Sequence, residues 1–544
     1  MSEPTYALGV DFGTESGRAL LLDLGSGAEV AVSEVGYAHG VIDERLPSSG
    51  ERLPPDWALQ HAGDWLAVLD EAIPAVLERA PQASGRVVGI GVDFTSCTVL
   101  PVTADGTPLF TQEGWGSRRH AWPKLWKHHA AQPVADRLNE VALERGEGFL
   151  ARYGGRISSE WYFPKLIEVW LEDREVYDAC QGFIEATDWI VWQLTGNECR
   201  QSCTAGYKAM WSQEEGLPSL DYFEAAYPGF DRPAAKLGGE FAPLGTCAGR
   251  LRPELAARFG LPESVAVAVG NVDSFVSVPG AGVQSPGTFL MVVGTSICDL
   301  VIDPVEVRLP GITGVVRDGI LPGLYGYEAG QAAVGDMLAW FVRTLAPPGT
   351  ELAALESAAS AIGPGASGLL ALDWWNGNRT ILADADLSGA LFGLTLKTTR
   401  EQIYRGLLES IAFGNRRIVE NFREHGLELS EIVACGGIAE KSPLTMQLLA
   451  VVSGLPVSVP DSTQVPARGA ALFGAVAAGA FPDIGSAVAA TRPRIAHSYT
   501  PDAAARAIYD RVYAIYRSLY ERLGRTDAEL LHELKRIYTE RSVS

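Results

Sequence analysis

Two apolar runs near the N-terminus, Tyr6 to Asp11 and Arg18 to Asp23, flank a glycine-rich turn, a pattern that predicts paired strands. The arrangement returns far downstream: Phe289 to Val293, the turn Gly294-Thr295-Ser296, then Cys298 to Ile302. Only the first copy carries an acid before its turn, Asp11. One such hairpin is ordinary. Two in one chain, with that asymmetry, predict related halves that hold a nucleotide between them. After the first hairpin, Trp57 to Ala80 reads as a helix ending at Pro81. Val87 to Val92 then reads as a strand, with Asp93-Phe-Thr-Ser-Cys-Thr98 at its end. A crossover through a helix between two strands suits an α/β fold.

From Thr111 to Trp211 the chain is rich in Trp, Tyr, Arg and His, which predicts helices and loops built onto the core. Within it, Ser158-Ser-Glu-Trp-Tyr162 and Ala205-Gly-Tyr-Lys208 set polar groups beside turn residues, as a sugar-lined cleft requires. Val265 to Val269 is a further strand running into Gly270-Asn-Val-Asp273. The lobe boundary is placed close to 283, giving lobes of 1–283 and 284–544. Tyr327-Glu-Ala-Gly330 leads into a helix through Phe341. Ile432 to Ala434 is a strand ending in Cys435-Gly-Gly437, followed by a helix over Ser442 to Ser453. Gly469 to Gly479 is a helix of small residues that can lie very close to its neighbours. Ala503 to Arg541 reads as helical, with Tyr509, Tyr513, Tyr516 and Tyr520 on one face. That stripe is read as packing against the second lobe in preference to a dimer seam; a homodimer stays open.

Composition narrows the partners. A chain of 544 residues, 47% hydrophobic, is long enough for two large domains, or three. Lys and Arg number 44 against 66 Asp and Glu, for a net charge of −22, which argues against nucleic acid or an anionic membrane as the main partner. The seven cysteines include no Cys-x-x-Cys, so reduced thiols in a cytoplasmic protein are expected. The adjacent His128 and His129 cannot share one helix face and are read as surface residues. No basic-then-apolar leader is seen, and the small-residue stretch at 469–480 is too short to span a bilayer.

The usual nucleotide signature, Gly-x-x-x-x-Gly-Lys-Ser/Thr, is absent. Gly363, Gly365 and Gly368 form a Gly-x-Gly-x-x-Gly that follows a helix and contains Pro364, so it is read as a loop. The hairpins offer another phosphate device. Gly13 and Gly17 permit a close turn with bare backbone, Thr14 and Ser16 add hydroxyls, and Asp11 at a strand end can hold Mg²⁺ through water. Gly294 and Thr295 would grip phosphate from the other half. The turn from Cys435 to Ser442, with Gly436 and Gly437, offers a flat surface for adenosine.

These phrases, with Asp273 between them and the helix at Gly469 to Gly479, resemble the FGGY carbohydrate kinases of the sugar kinase, actin and heat-shock chaperone superfamily. The resemblance covers roughly residues 6 to 483. Each phrase is weak alone; five in order are strong. The resemblance implies an α/β fold of two ribonuclease H-like lobes with a cleft between them, and ATP with Mg²⁺. It implies nucleotide contacts at Asp11, Gly13, Thr14, Ser16, Arg18, Gly294, Thr295, Gly436, Gly437 and Ser442. It implies sugar contacts at Asp93, Thr95, Ser96, Lys208, Asp273 and Glu328, with Asp273 as general base. Within the family, Gly89-Ile-Gly-Val-Asp-Phe-Thr95, Ser158-Ser-Glu-Trp161, Ala205-Gly-Tyr-Lys208-Ala-Met-Trp211 and Glu328-Ala-Gly-Gln331 resemble the ribulokinase subgroup. That implies transfer to the terminal hydroxyl of ribulose, L-ribulose in arabinose catabolism above others. Where enteric members resemble Gly-Ala-Phe-Asp-Cys-His, this chain has Gly-Asn-Val-Asp273-Ser-Phe: the acid is kept and its neighbours differ. Other ketopentoses or polyols, and more remotely an actin-like or chaperone-like ATPase, are the alternatives.

Overall fold

The computed structural model describes residues 5–238 and 240–542. Each half of the chain builds a seven-stranded sheet, and the two sheets share one plan. In the first, β1 (Tyr6–Phe12), β2 (Ser16–Asp23) and β3 (Glu29–Gly36) form an antiparallel meander, and β4 (Val87–Phe94) lies parallel beside β1. β5 (Cys247–Arg250), β6 (Ala266–Ala268) and the short β7 (Asn271–Val272) complete it, in the order β3-β2-β1-β4-β6-β5 with β7 also paired to β4. The second contains β8 (Thr288–Val293), β9 (Ile297–Asp303), β10 (Gly314–Arg317), β11 (Tyr325–Gln331), β12 (Glu431–Cys435), β13 (Val457–Pro460) and β14 (Ile495–Tyr499). Its order is β10-β11-β9-β8-β12-β13-β14. In both, the hairpin strand is antiparallel to its partner and parallel to the strand reached by the crossover. The hairpin repeated in the sequence is thus the visible part of a larger structural repeat.

Every residue of β1 is buried, because both faces of the strand are covered. Leu8, Val10 and Phe12 face a core that includes Trp65 and Val68 of α1 (Ala62–Arg79). On the other face lies α8 (Val465–Ala477), from the far end of the chain. Its small residues let backbone touch backbone: a Cβ on Gly9 would fall 1.7 Å from the Ala467 carbonyl oxygen, and one on Gly91 1.8 Å from that of Ala470. The close approach expected of a small-residue helix is therefore real, although the helix begins at Val465, four residues before Gly469.

Three boundaries differ from the sequence pattern. Trp57 to Gln60 is not helical: Leu59 bridges Ile42, and α1 starts only after His61, whose ring accepts the Gly63 N–H. Tyr327 to Gly330 lies within β11, and the helix follows at α5 (Gly335–Leu345). The C-terminal helix is two helices, α9 (Ala503–Glu521) and α10 (Glu529–Ser542), broken where Gly524 packs against Leu382. Gly363 to Gly368 is a loop, as its proline demands. The tyrosine stripe of α9 packs into the second core, with the hydroxyls of Tyr509, Tyr513 and Tyr516 donated to Glu409, Glu420 and Asp373. All seven cysteines are unpaired thiols. Among the described residues no helix is long and apolar enough to cross a membrane.

Candidate active site

Parallel pairing decides which side chains meet at the carboxyl ends of the first sheet. Asp11 on β1 is in register with Asp93 on β4, and Asp93 with Asn271 on β7. Asp273 follows as the first residue of α4 (Asp273–Gly280). Open α/β sheets bind ligands at this end. Arg18 Nη1 lies 3.5 Å from Asp11 Oδ2. Asp93 is fully buried, and neither of its carboxyl oxygens accepts a hydrogen bond. Burial first, then the charges of Asp11 and Asp273, push its carboxyl well above the usual range. Asp273 is pushed up to about 7, by burial and then by Asp11, against the pull of the Ser274 N–H donated to Oδ1 at 2.6 Å. Three acids converge in a corner where Arg18 is the cation paired with Asp11. The three carboxylates do not close on one point, since among the described residues only His39, His61 and Asp64 bring three such ligand atoms within 4.8 Å of one another. What the corner offers a hard divalent cation such as Mg²⁺ is the Asp11 carboxylate with the unpartnered oxygens of Asp93 beside it. Asp93, expected as a sugar contact, is buried in register beside Asp11.

Each hairpin turn is closed by a backbone bond of 2.9 Å, Gly13 N–H to Ser16 O three residues on in the first and Gly294 N–H to Ser296 O two residues on in the second. The first is braced from behind. Tyr37 Oη donates to Gly13 O at 3.0 Å, Gln60 Nε2 to Thr14 O at 2.8 Å, and Trp126 Nε1 to Thr14 Oγ1 at 3.0 Å. Ser16 gives its proton to Glu34 at 2.6 Å, away from the turn. The second turn is braced by the start of α5: Val334 and Gly335 donate to Thr295 O and Gly294 O. Gly436 adopts φ 93°, where a Cβ would lie 2.8 Å from the Val293 carbonyl, and Gly437 has open space on its side-chain face. Bare backbone facing open space suits a flat ring. Ser442 is committed elsewhere. It caps α7 (Pro443–Ser453), accepting from Thr445 N–H and donating to Glu356 at 2.9 Å.

On the sugar side, Lys208 ends α3 (Ser202–Lys208) and its Nζ meets Glu328 Oε2 of β11 at 2.8 Å, an ion pair between the two halves. Burial opposes the Lys208 charge, yet Glu328 holds it above its ordinary value. Thr95 pairs its hydroxyl with Thr98 at 3.0 Å, whereas the neighbouring Ser96 Oγ is buried without a hydrogen-bond partner. Behind this loop Glu185 is buried, and its carboxyl is lifted to about 7 by burial, against the Cys97 thiol, Lys165 and Lys208. His128 is not a surface residue. It is fully buried, its Nε2 2.9 Å from Glu168, and burial drives its ring down to about 3. The adjacent His129 lies outside a helix and points the other way, nearly half exposed.

Sequence reasoning missed Tyr37, Gln60, Trp126 and Lys165. Lys165 alone carried a signal: a lysine inside the apolar run Tyr162-Phe-Pro-Lys-Leu-Ile-Glu-Val-Trp170.

Residues 6–280 match the N-terminal domain, and residues 289–478 the C-terminal domain, of the FGGY family of carbohydrate kinases. The chain belongs to the FGGY family of carbohydrate kinases. This FGGY kinase is 47% identical over 545 residues to the ribulokinase of Anoxybacillus flavithermus, covering 97% of this chain and 96% of that protein. It is 45% identical over 536 residues to the ribulokinase of Mycolicibacterium smegmatis, covering 96% and 95%. Among solved structures it is similar to a xylulose kinase from Rhodospirillum rubrum (TM-score 0.80, 26% identity, 97% and 100% covered). It shares its fold with Plasmodium falciparum glycerol kinase with ADP (TM-score 0.78, 15% identity, 95% and 98% covered). The two lobes are those of the actin and sugar kinase fold, and the enzyme is a phosphotransferase that uses ATP on a small-molecule sugar.

Proposed function

We propose that this FGGY kinase phosphorylates ribulose, L-ribulose above others, on its terminal hydroxyl. The observation that carries the reading is 47% identity, across nearly the whole chain, to proteins named ribulokinase. The paired Lys208 and Glu328 and the unpartnered Ser96 hydroxyl give the sugar site one cation, one anion and one neutral group for a polyhydroxylated acceptor. Asp273 takes the proton of the attacking hydroxyl. Its pKa of about 7 without ligands leaves it half ionised near neutrality and basic enough to accept. Phosphoryl transfer asks chiefly for alignment and charge neutralisation, which the turns at Gly13 and Gly294 serve with bare backbone. Asp11 would hold Mg²⁺, which when bound offsets phosphate charge. Gly436 and Gly437 face adenosine. Closure of the lobes around the Lys208–Glu328 pair excludes water from the transferred group. We place the enzyme in the cytoplasm, where its nucleotide is made.

The test is a coupled ADP-release assay over L- and D-ribulose, L- and D-xylulose, ribitol and glycerol. The expected result is the highest kcat/KM on a ribulose. A preference for xylulose or glycerol, or an ATPase rate indifferent to every sugar, refutes the reading.

A further inference from the structure

Lys165 lies on α2 (Tyr162–Glu172) and is fully buried. Its Nζ donates to three backbone carbonyls: Cys97 O at 2.7 Å, Leu125 O at 2.9 Å and Trp126 O at 3.4 Å. An ammonium has three protons, so the donors are used in full. Burying a charge is costly, and burial indeed lowers the Lys165 pKa. A methionine of the same length would fill the space without that penalty. What the charge supplies is a junction. Cys97 directly follows Ser96, an expected sugar contact whose buried hydroxyl has no partner. Trp126 is the residue whose indole holds Thr14 on the first phosphate turn. Val99 and Lys124 add a reciprocal pair of backbone bonds between the same two segments, at 3.0 and 2.8 Å, so the junction is rigid on both sides of the ammonium. Lys165 ties the stretches at 97 and 125–126, and the Trp126 indole carries the link on to Thr14, so three stretches are joined through two side chains.

We propose that Lys165 is a positioning residue that fixes the sugar loop relative to the phosphate turn, so that the acceptor hydroxyl, and not water, lines up with the transferred phosphoryl group. The proposal rests on the sugar kinase reading, but not on which sugar is used. A displacement of about 1 Å at a remote support can cost about 100-fold in rate. A misplaced acceptor also leaves room for water, so the ratio of ADP formed to sugar phosphate formed rises. A lysine that served stability alone would not move that ratio.

The experiment measures ADP release and sugar phosphate separately for Lys165→Met and Trp126→Phe, using whichever sugar the wild type turns over best, with nucleotide affinity and thermal stability alongside. A wrong sugar assignment then shows in the wild-type panel and leaves the ratio readable. Expected for Lys165→Met is a fall in sugar kcat/KM of about 10- to 100-fold, with an ADP to sugar phosphate ratio clearly above that of the wild type. Trp126→Phe, which removes only the indole donor to Thr14, should shift the ratio in the same direction by less. A folded Lys165→Met enzyme with wild-type kcat/KM and ratio overturns the proposal. If that variant does not fold, a Trp126→Phe enzyme with wild-type ratio and sugar KM overturns it.

Discussion

Replacing Asp273 by asparagine should separate catalysis from stability in opposite directions. The carboxyl keeps its proton up to about pH 7 instead of 3.8, the unperturbed value, because burial and Asp11 disfavour its charge. A folded-state pKa raised above the unfolded one means that the folded enzyme binds the extra proton, so stability is lost as pH rises from 3.8 towards 7. At pH 8 the ionised carboxylate then costs the fold up to about 4 kcal/mol, an upper bound because Asp273 is only partly buried. Asparagine removes that cost and can still accept the Ser274 N–H. The variant should melt higher than wild type at pH 8, with the gain falling below about 2 kcal/mol at pH 5. Turnover should drop by ~10²–10⁴-fold, the usual worth of a positioned general base, with nucleotide affinity retained. In the wild type, sugar kcat/KM should fall as pH drops below about 7, where the base is protonated. The measurements are coupled ADP release from pH 5 to 9, nucleotide titration, and thermal melts without nucleotide or metal. Near-normal turnover removes Asp273 from the role of base; a lower melting point at pH 8 refutes the electrostatic account.

Two further outcomes follow from buried contacts. Gly91→Ala should cost at least about 3 kcal/mol, because its Cβ would sit 1.8 Å from the Ala470 carbonyl with backbone on both sides; a melt within a degree of wild type would show that α8 can shift freely. Glu185→Gln should stabilise by about 3 kcal/mol at pH 8, since the buried carboxyl holds its proton to about 7 and its ionisation costs stability as pH rises from 4.5 through 7; urea melts at pH 8 and pH 5 should show the gain at the first and little at the second.

What the sequence revealed was local. The hairpins, Asp273 at a strand end and the tyrosines four residues apart or nearly so each declare themselves within a window of a dozen residues, and each lies where the pattern puts it. The start of α1 misled because Trp57 to Gln60 is apolar for another reason: it is extended and paired with Ile42. His128 misled because adjacency says nothing of burial outside a helix. Lys165 showed only as a lysine inside an apolar run; its role could not be read, since its partners are carbonyls, which every residue carries, brought in from 97, 125 and 126. Ser442 shows the reverse: the sequence placed it beside the adenosine turn, but a serine before a proline-led helix serves first as its cap.

The seat of α8 on β1 and β4 also sets a schedule for synthesis. One face of the first sheet stays uncovered until residue 477 has left the ribosome, so the N-terminal half emerges with Ala7, Gly9, Gly89 and Gly91 bare to solvent. The first lobe cannot finish folding as an autonomous unit ahead of the second; the two reach completion together. A chain stopped short of Val465 should therefore be a client for chaperones, not half an enzyme.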